Sequence, residues 1–328
     1  MKNNYCPLAF HGIYIERSAD GKSRVAPCCL ADKSQPISES IDFNSNDHLS
    51  RIRQAFIDDK KPYQCNPCWE LENKGGKSRR KIYIDKFKNV GLYQTSNLYY
   101  LDYNTLPICN ARCIICSPQY SSTWASFVGI NEISNIVKNN YDHLSGLHLN
   151  DIKSIYFNGG EPLLTDEHTE VLKKIYDLSL VDISYNTNGS CYPNIKTLDL
   201  WNQAKSVTVF FSIDGIKEKF EKTRIPLKWD LVSSNIKRIN LLDNINIGCS
   251  YTIGVHNVFD LEDTINWFNK LPNFNSMKQF HVHYVNPEHR LYFKSATSDE
   301  KEKFYKEILK FDNYHWYTSI VNAIKNDK

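Results

Sequence analysis

Three cysteines lie within eight residues of this sequence, at Cys109, Cys113 and Cys116 in the stretch CNARCIIC. A structural zinc site uses four ligands and a disulfide uses two, so three closely spaced thiols match neither. A [4Fe–4S] cluster normally takes four cysteines, and three would leave one iron free to bind a small molecule. The spacing therefore indicates a metal or iron–sulfur site with one open coordination position.

A second group of cysteines lies near the amino terminus. Its members are Cys6, Cys28, Cys29, Cys65 and Cys68. The first residues carry no apolar core of signal-peptide length, and no stretch approaches the roughly 18 apolar residues of a membrane-spanning helix. We therefore expect a cytoplasmic protein, in which disulfides are rare and ten cysteines indicate metal or redox chemistry.

The composition is that of an ordinary soluble globular protein, with 41% hydrophobic and 23% charged residues. A net charge of +3 argues against a nucleic-acid coat and against an acidic tail. The length of 328 residues suits either a barrel with a smaller unit or one large α/β domain. We expect neither a nucleic-acid partner nor a membrane partner.

The elements that must position the central cysteines begin near residue 97, where short apolar runs alternate with helical patterns such as 167–178 and 259–270. The predicted strands are 98–103, 153–158, 181–186, 206–213, 245–253 and 278–285. Such βα units in succession predict a parallel sheet, either doubly wound or a partial barrel. Active sites of parallel barrels lie at the carboxyl ends of the strands, and the CNARCIIC loop follows the first of these strands.

Polar and glycine residues follow the later predicted strands as well. These segments are Asn158-Gly159-Gly160-Glu161-Pro162, Asn186-Thr187-Asn188-Gly189, Ser212-Ile213-Asp214-Gly215 with Arg224 downstream, Asn257, and Asn286-Pro287. Paired glycines let a backbone approach a ligand closely, and the Glu161 carboxylate can accept hydrogen bonds from an ammonium group. The pattern predicts a ligand site along this edge of the sheet.

The amino-terminal region, 1–95, lacks this alternation of predicted strands and helices. Ile13-Tyr14-Ile15 and the turn at 19–22 predict a β-hairpin that leads to Cys28 and Cys29. Residues 47–60 have helical spacing and lead to Cys65-Asn66-Pro67-Cys68. The basic, glycine-containing segment 73–81 is expected to be a solvated linker, and the tail 298–327 is expected to form one or two helices.

Taken together, these motifs resemble those of the radical S-adenosylmethionine (SAM) superfamily. CNARCIIC resembles its CX3CX2C signature, GGEP at 159–162 resembles its second motif, and the TNG and SIDG…R segments resemble its SPASM/twitch branch. The resemblance covers about residues 97–290. It implies an α/β fold, a partial (β/α)6 TIM-like barrel over 96–290, with a small cysteine-rich N-terminal α+β domain over 1–95 and a C-terminal helical tail over 291–328.

The resemblance also implies roles for individual residues. Cys109, Cys113 and Cys116 would bind the catalytic [4Fe–4S] cluster, with SAM on the open iron. The implied SAM contacts are Gly159, Gly160 and Glu161 at the amino end, Thr187, Asn188, Ser212 and Arg224 at the ribose and carboxylate side, and Asn257 and Val285 near ribose and adenine. Reductive cleavage of SAM would release a 5′-deoxyadenosyl radical that abstracts a substrate hydrogen. Many members have an aromatic residue just before the third cysteine, where this sequence has Ile115.

The amino-terminal cysteines resemble a SPASM/twitch-type auxiliary-cluster domain, which in most relatives follows the barrel and here would precede it. Its implied ligands are Cys6, one of Cys28 and Cys29, Cys65 and Cys68. We prefer Cys28, because the family's cysteine after Asp-Gly usually aligns with the first of a pair. The alternative is a structural zinc site with the same ligands.

The resemblance implies an enzyme, and because the SPASM/twitch branch is rich in peptide modification we favour a peptide or protein substrate, with oxidation or epimerisation of a sugar, nucleotide or amino acid as the alternative. An electron donor such as flavodoxin or ferredoxin would be its partner. The hypothesis from another class is a non-catalytic binding module stabilised by zinc. Neither GGEP nor the polar strand ends have a role in that hypothesis.

Several remaining residues have a structural and a functional interpretation. Cys249 falls on the apolar face of its predicted strand, which favours a core position, and Cys191 is also interpreted as structural. His281 and His283 share one strand face, from which they would contact substrate or relay a proton if that face is the barrel lumen. Asp214 fits a capping role and a substrate contact equally well.

Overall fold

The computed structural model describes residues 4–18, 22–37, 41–73, 75–88, 97–130 and 144–325. The strands in these ranges are β1 Gly12–Arg17, β2 Ser23–Ala26, β3 Tyr100–Asn104, β4 Ser154–Asn158, β5 Asp182–Thr187, β6 Ser206–Ser212, β7 Ile245–Ile253 and β8 Phe280–Tyr284. They form one open sheet in the order β2-β1-β3-β4-β5-β6-β7-β8. Pairings β1–β3, β3–β4, β6–β7 and β7–β8 are parallel. This is the α/β class with a partial, unclosed barrel sheet that the sequence predicted.

The helices among the described residues are α1 Pro7–His11, α2 Asp47–Ile57, α3 Asn66–Asn73, α4 Arg79–Lys86, α5 Ser122–Phe127, α6 Glu167–Leu172, α7 Ile195–Gln203, α8 Glu218–Thr223, α9 Trp229–Ile239, α10 Leu261–Phe268, α11 Ser276–Gln279, α12 Ser298–Ile308 and α13 Tyr317–Lys325. Helix α2 begins where Asn46 accepts a hydrogen bond from the Leu49 backbone, and it buries Leu49, Ile52 and Phe56. That spacing places the three apolar side chains on one face. The two tail helices, α12 and α13, were predicted within 298–327.

The amino-terminal hairpin belongs to the same sheet as the barrel strands. Strands β1 and β2 are antiparallel, with Tyr14 opposite Ala26, and β1 pairs with β3 through Gly12 and Tyr100. Of the predicted turn at 19–22, residues 19–21 lie outside the described residues. So do residues 89–96, where the predicted boundary between 1–95 and 96–290 falls, and this division stays a prediction.

Contacts divide the chain into two compact units. The first comprises Met1–Ile108, Ile130–Ser184 and Lys196–Lys205, and the second comprises Cys109–Gly129, Tyr185–Ile195 and Ser206–Lys328. The first unit therefore contains the amino-terminal cysteines and the GGEP segment. The second contains the CNARCIIC loop and the carboxyl ends of β5 to β8.

The basic segment near residue 80 is not the solvated linker that its composition suggests. Ser78 accepts a hydrogen bond from the Lys81 backbone and begins α4. Arg80 is buried, pairs with Glu72 at 2.5 Å and donates to the Tyr5 carbonyl at 2.8 Å. The prediction was wrong for this part because the half-buried Glu72 carboxylate and the Tyr5 carbonyl, which is 75 residues away in sequence, compensate the charge.

In the part of the chain that the structure describes, no helix combines the length and the apolar character that crossing a membrane requires.

Candidate active site

The loop that carries Cys109, Cys113 and Cys116 is held by side chains of α5 in the same unit. The Ser122 hydroxyl accepts from the Cys109 N–H at 3.1 Å and donates to the Cys109 carbonyl at 3.0 Å. Thr123 donates to the same carbonyl at 2.6 Å, and the Trp124 indole donates to the Cys113 carbonyl at 2.8 Å. These bonds satisfy backbone groups of a loop that forms no regular secondary structure.

A second support comes from the segment after α8. The Arg112 N–H donates to the Ile225 carbonyl at 2.7 Å, and the Ile114 N–H donates to the Thr223 carbonyl at 2.9 Å. Between these two carbonyls lies Arg224, so backbone pairing on both sides fixes its position against the loop.

Arg224 is a buried cation beside one of the three thiols. Its Nη1 lies 3.6 Å from the Cys113 Sγ, and its Nη2 lies 2.6 Å from the Asp214 Oδ2. Burial opposes the charge, but Asp214 and Cys113 together raise the pKa of Arg224 above its usual value. The guanidinium therefore stays charged next to Cys113, where it stabilises a thiolate.

An amide lies beside a second thiol. Asn188 Nδ2 is 3.9 Å from the Cys109 Sγ and 3.0 Å from the Asn110 Oδ1, to which it donates. The Asn188 Oδ1 accepts from the Ser190 N–H at 2.8 Å, which fixes the orientation of the amide. Thr187 accepts from the Gly189 N–H at 3.1 Å, so its hydroxyl shapes this turn.

Burial keeps two of these thiols neutral in the protein alone. It raises the pKa of Cys113 to about 11, although Arg224 lowers it in part, and it raises the pKa of Cys116 as well. A bound iron would supply the positive charge that deprotonates such thiols.

The GGEP segment lies in the first unit, against the chain that leads to Cys109. A Cβ on Gly160 would fall 2.3 Å from the Ile108 carbonyl oxygen, and one on Gly159, whose φ is +125°, would fall 2.5 Å from the Thr105 hydroxyl oxygen. The Glu161 N–H donates to the Ile108 carbonyl at 2.8 Å. The glycines are therefore required by close packing on residues 105–108, and not only by the ligand approach that the sequence suggested.

Three further predicted residues take structural positions in the second unit. Asn257 is buried, its Oδ1 accepts from the Gly254 N–H at 2.9 Å, and its Nδ2 donates to the carbonyls of Asp214 and Thr252. Val285 is buried and donates its N–H to the Ile253 carbonyl at 2.9 Å. Ser212, half-buried, pairs with Ser250 on β7.

Four amino-terminal cysteines line one small cavity in the first unit. They are Cys6, Cys28, Cys65 and Cys68, and the remaining lining is mostly apolar. Cys29 is absent from this lining and instead hydrogen-bonds the buried Asp102. Burial raises the pKa of Cys6 to about 11 and that of Cys28 to about 12. Within the described ranges, no three His, Cys, Asp or Glu side chains are grouped tightly enough to hold a single metal ion.

The other residues singled out in the sequence have different surroundings. Cys249 is fully buried, with its thiol 3.9 Å from the Ile213 carbonyl, and Cys191 is half-buried beside Ser190. Asp214 accepts from the Thr252 N–H at 2.7 Å and pairs with Arg224, so both contacts of its carboxylate are with other residues of the protein.

His281 contacts His315, a histidine that the sequence analysis did not single out. Its Nδ1 lies 3.2 Å from the Nε2 of His315, which precedes α13. Burial, together with the charge of His315, lowers the pKa of His281 to about 4. His283, on the same strand, is exposed.

Comparison with known proteins decides the family. The family model described as "Radical SAM superfamily" matches residues 103–271, which is more than half of the chain. This chain belongs to the radical SAM superfamily.

Several curated proteins are similar to parts of the chain. A "Probable GTP 3',8-cyclase" of Methanococcus maripaludis is 28% identical over 132 residues, which cover 35% of this chain and 42% of that protein. The "7,8-dihydro-6-hydroxymethylpterin dimethyltransferase" of Methanocaldococcus jannaschii is 25% identical over 142 residues, which cover 40% of this chain and 26% of that protein. The matched regions thus span less than half of these relatives.

Among solved structures, "Native anSMEcpe with bound AdoMet" matches with a TM-score of 0.43 and 17% identity, covering 68% of this chain and 61% of that one. "Crystal structure of Streptococcus suis SuiB bound to precursor peptide SuiA" matches with a TM-score of 0.39 and 14% identity, and the match covers 91% of this chain and 69% of that one.

The central loop fits the radical SAM cofactors, a [4Fe–4S] cluster and SAM. Its donor set is three thiols, with a buried guanidinium at one sulfur and an amide at another. Hydrogen bonds and charges at cluster sulfurs are what proteins use to tune such clusters. The amino-terminal cavity brings four thiols into one lining, and four is the number of thiolate ligands that a [4Fe–4S] cluster or a structural zinc site takes.

Sequence reasoning missed the residues that position this radical SAM loop. Ser122, Thr123 and Trp124 form an STW run that begins six residues after Cys116, and Ser and Thr hydroxyls near a loop are a recognisable signal for backbone capping. It also missed His256, whose two ring nitrogens are buried and have no hydrogen-bond partner among the described residues. No pattern in the sequence distinguishes that histidine from its neighbours.

Proposed function

We propose that this chain is a radical SAM enzyme that binds a catalytic [4Fe–4S] cluster through Cys109, Cys113 and Cys116. The bound cluster supplies reductive cleavage of SAM, which gives a 5′-deoxyadenosyl radical that takes a hydrogen atom from the substrate. The observation that carries the proposal is that two sets of hydrogen bonds hold this loop. Side chains of α5 make one set, and the backbone carbonyls of Thr223 and Ile225, which flank Arg224, make the other.

The protein's own residues have definite tasks in this proposal. Arg224 places a permanent positive charge 3.6 Å from the Cys113 sulfur, and Asn188 directs an amide toward the Cys109 sulfur. Both interactions favour the thiolate over the thiol and raise the reduction potential of a bound cluster.

SAM itself is proposed to lie along the polar strand ends. Its amino end would be held at Gly159, Gly160 and Glu161. The remaining contacts in this proposal are Thr187, Asn188, Ser212, Arg224, Asn257 and Val285. The buried positions of Asn257 and Val285 support a packing role there.

The amino-terminal cysteines are proposed to form an auxiliary site of the SPASM/twitch type, within a domain over 1–95 that precedes the barrel at 96–290. Convergence of Cys6, Cys28, Cys65 and Cys68 on one cavity supports this ligand set. A [4Fe–4S] cluster there would accept an electron from the substrate radical or bind the substrate. Zinc is the rival occupant.

For the substrate we favour a peptide or protein, as is common in the branch that the sequence resembles. The second candidate is a small molecule, and the names of the curated relatives, several of them probable GTP 3′,8-cyclases, favour a nucleotide within that class. The electron would come from a carrier such as flavodoxin or ferredoxin, in the cytoplasm.

The test is anaerobic reconstitution followed by iron and sulfide analysis. Two [4Fe–4S] clusters require about eight irons in wild type and about four in the Cys109→Ala/Cys113→Ala/Cys116→Ala variant. With dithionite and SAM, 5′-deoxyadenosine should form in wild type and not in the triple variant. Cys249→Ala, which removes a buried thiol outside both groups, is the matched control and should keep both properties.

Each other result has a defined meaning. About four irons with one zinc in wild type would keep the radical chemistry and replace the auxiliary cluster by zinc. Zinc alone, with no SAM cleavage, would overturn the proposal in favour of a metal-stabilised binding module.

A further inference from the structure

Asp102 lies at the centre of a buried polar network in the first unit. It is fully buried on β3, and its two carboxylate oxygens contact different neighbours. Oδ2 accepts from the Arg79 guanidinium at 3.1 Å and from the Tyr100 hydroxyl at 3.3 Å, whereas Oδ1 accepts from the Asn158 amide at 3.1 Å. The Cys29 thiol hydrogen-bonds the same carboxylate. These five residues form the Asp102 network.

The charge of Asp102 is compensated within the network. Arg79 is its counter-ion and reaches the carboxylate from α4, in the basic segment that follows the amino-terminal cysteines. Burial raises the pKa of Asp102, and the guanidinium counteracts that rise. A carboxylate that is held by an ion pair and by hydrogen bonds from several sides has a fixed orientation. A change in the position of one partner is therefore felt by the others.

One end of the network adjoins the proposed auxiliary site. Cys29 directly follows Cys28, which lines the cavity with the three other thiols of that site. Cys29 is absent from the cavity lining and bonds Asp102 instead. The two cysteines share a planar peptide bond, so a metal that binds Cys28 also restricts the backbone of Cys29. Metal at the auxiliary site would thus hold the Cys29 thiol in place against Asp102.

The other end of the network adjoins the GGEP turn. Asn158 is the last residue of β4 and immediately precedes Gly159 and Gly160. Its side chain donates to Asp102, and its carbonyl accepts from the Thr105 N–H at 2.8 Å and from the Thr105 hydroxyl at 3.1 Å. The residue at which the turn begins is therefore held through both its side chain and its backbone. This turn is the one proposed above to hold the amino end of SAM.

The network crosses one face of the sheet. In the parallel register, Asp102 lies between Tyr14 on β1 and Tyr156 on β4, and Asn158 lies two residues beyond Tyr156 on the same face. The network thus reaches from the chain that follows β2 to the carboxyl end of β4. Carboxyl ends of parallel strands are where such sheets bind ligands.

We propose that Asp102 is a positioning residue that couples the auxiliary metal site to SAM binding. Metal at the auxiliary site orders Cys29, which helps to orient Asp102. Asp102 in turn holds Asn158 where the GGEP turn begins. Because the turn is then already ordered, binding of SAM costs less conformational entropy. A filled auxiliary site should therefore tighten SAM binding. This inference rests on the proposed function and adds a link between its two sites.

The test measures the affinity for SAM by calorimetry on reconstituted protein with a full catalytic cluster. Cys65→Ala/Cys68→Ala removes two auxiliary ligands and leaves residues 28 and 29 unchanged, and metal analysis verifies the loss of the auxiliary metal. This variant should bind SAM about 5- to 20-fold more weakly than wild type, within the usual range of coupling between two sites. Cys29→Ala, which keeps all four ligands, should retain the auxiliary metal and show the same weakening.

The combination of these changes decides between a link and two independent effects. Adding Cys29→Ala to Cys65→Ala/Cys68→Ala should cause no further loss of SAM affinity, because the link already has no effect there. Asn158→Leu, at the other end of the network, should make SAM affinity the same with and without the auxiliary metal. If the triple variant instead loses affinity by the product of the two separate factors, the proposal is overturned. It is also overturned if Cys65→Ala/Cys68→Ala binds SAM like wild type.

Tyr14→Phe is the matched control. Tyr14 lies opposite Asp102 on β1, but its hydroxyl donates to Glu16 at 3.2 Å. In this variant, loss of the auxiliary metal should weaken SAM by the same factor as in wild type. A smaller factor would mean that any alteration of this sheet face disturbs the coupling, which overturns the assignment to Asp102.

The inference and the proposed function fail separately. If wild type holds both metal groups and forms 5′-deoxyadenosine, but its affinity for SAM does not depend on the auxiliary metal, the inference alone is overturned. If wild type holds no auxiliary metal, the proposed auxiliary site fails first and the inference fails with it.

Discussion

At the scale of single residues, the second unit contains a buried ion pair. Arg224 and Asp214 are both buried and lie 2.6 Å apart. Arg224→Met should lower the free energy of unfolding by about 3–5 kcal/mol, because it leaves the Asp214 carboxylate buried without its counter-charge. Urea denaturation of the protein without cofactors measures this loss.

The matching double variant separates charge from packing. Arg224→Met/Asp214→Asn should recover part of the lost stability, since no uncompensated charge remains. Lys222→Met on the exposed face of α8 is the control and should change stability by less than about 0.5 kcal/mol. If Arg224→Met is as harmless as this control, the pair has no structural role.

The adjacent cysteines Cys28 and Cys29 provide a second residue-scale prediction. Cys28 lines the cavity with the three other thiols, whereas Cys29 bonds Asp102. Cys28→Ser should therefore remove the auxiliary metal, a loss of about four irons per chain if the site holds a [4Fe–4S] cluster. Cys29→Ser, a matched control one residue away, should keep it. Equal losses in both variants would refute the assignment of Cys28.

Residue types in the sequence identified the segments that contain the candidate site, but not which of two adjacent residues has polar atoms that the fold leaves unpaired. The cysteine groups and GGEP could be found because their chemistry depends on residue type and local spacing. The distinction between Asn257 and His256 could not, because it depends on which polar atoms the folded backbone already occupies. For the same reason, the sequence could not show that Arg80 is buried against Glu72.

At the scale of elements, α5 serves as a support for the cysteine loop. Thr123→Val keeps the side-chain shape but removes the hydrogen bond to the Cys109 carbonyl, which is worth about 1 kcal/mol. We expect reconstituted Thr123→Val to release its catalytic iron to a chelator several-fold faster than wild type. Ser126→Ala, an exposed position on the same helix, is the control. Identical release rates in Thr123→Val and wild type would show that the bond does not hold the loop.

The GGEP turn gives a second prediction at this scale. Gly160→Ala would bring a methyl group within 2.3 Å of the Ile108 carbonyl oxygen, so the segment that leads to Cys109 must move. We expect a destabilisation of about 1–3 kcal/mol, the usual cost of overpacking. Denaturant unfolding of the ligand-free protein measures it. An unchanged midpoint would mean that the glycine is needed only for a ligand.

Elements with strong local patterns were predictable. Strand β7 has the predicted bounds, 245–253, and β6 shows the alternating burial that its apolar pattern implies. Helix ends were less accurate: 167–178 was predicted, and α6 ends at Leu172. Apolar spacing continues past that residue, but where a helix stops depends on capping and packing that periodicity does not encode.

At the scale of the whole molecule, the sequence predicted the class of fold but not the extent of its sheet. The hairpin of β1 and β2 was predicted as part of a separate region, yet β1 pairs directly with β3, more than 80 residues away in sequence. Strand pairing over such a distance is decided by tertiary packing, which local propensity does not report.

The buried His168 contributes to the response of the whole protein to acid. Burial lowers the pKa of His168 to about 3, whereas an unfolded histidine titrates near 6.5. The unfolded chain therefore binds a proton first, so this contribution to stability is complete above about pH 6.5 and is lost as the pH falls toward 3. Between pH 6 and 4 the free energy of unfolding should fall by about 1.4 kcal/mol per pH unit from this residue alone.

The variant His168→Leu keeps an apolar group beside Phe157 and removes the titration. Its free energy of unfolding, measured by denaturation, should therefore depend less steeply on pH by that amount. Parallel pH profiles for the two proteins would mean that His168 is accessible to protons in the folded state.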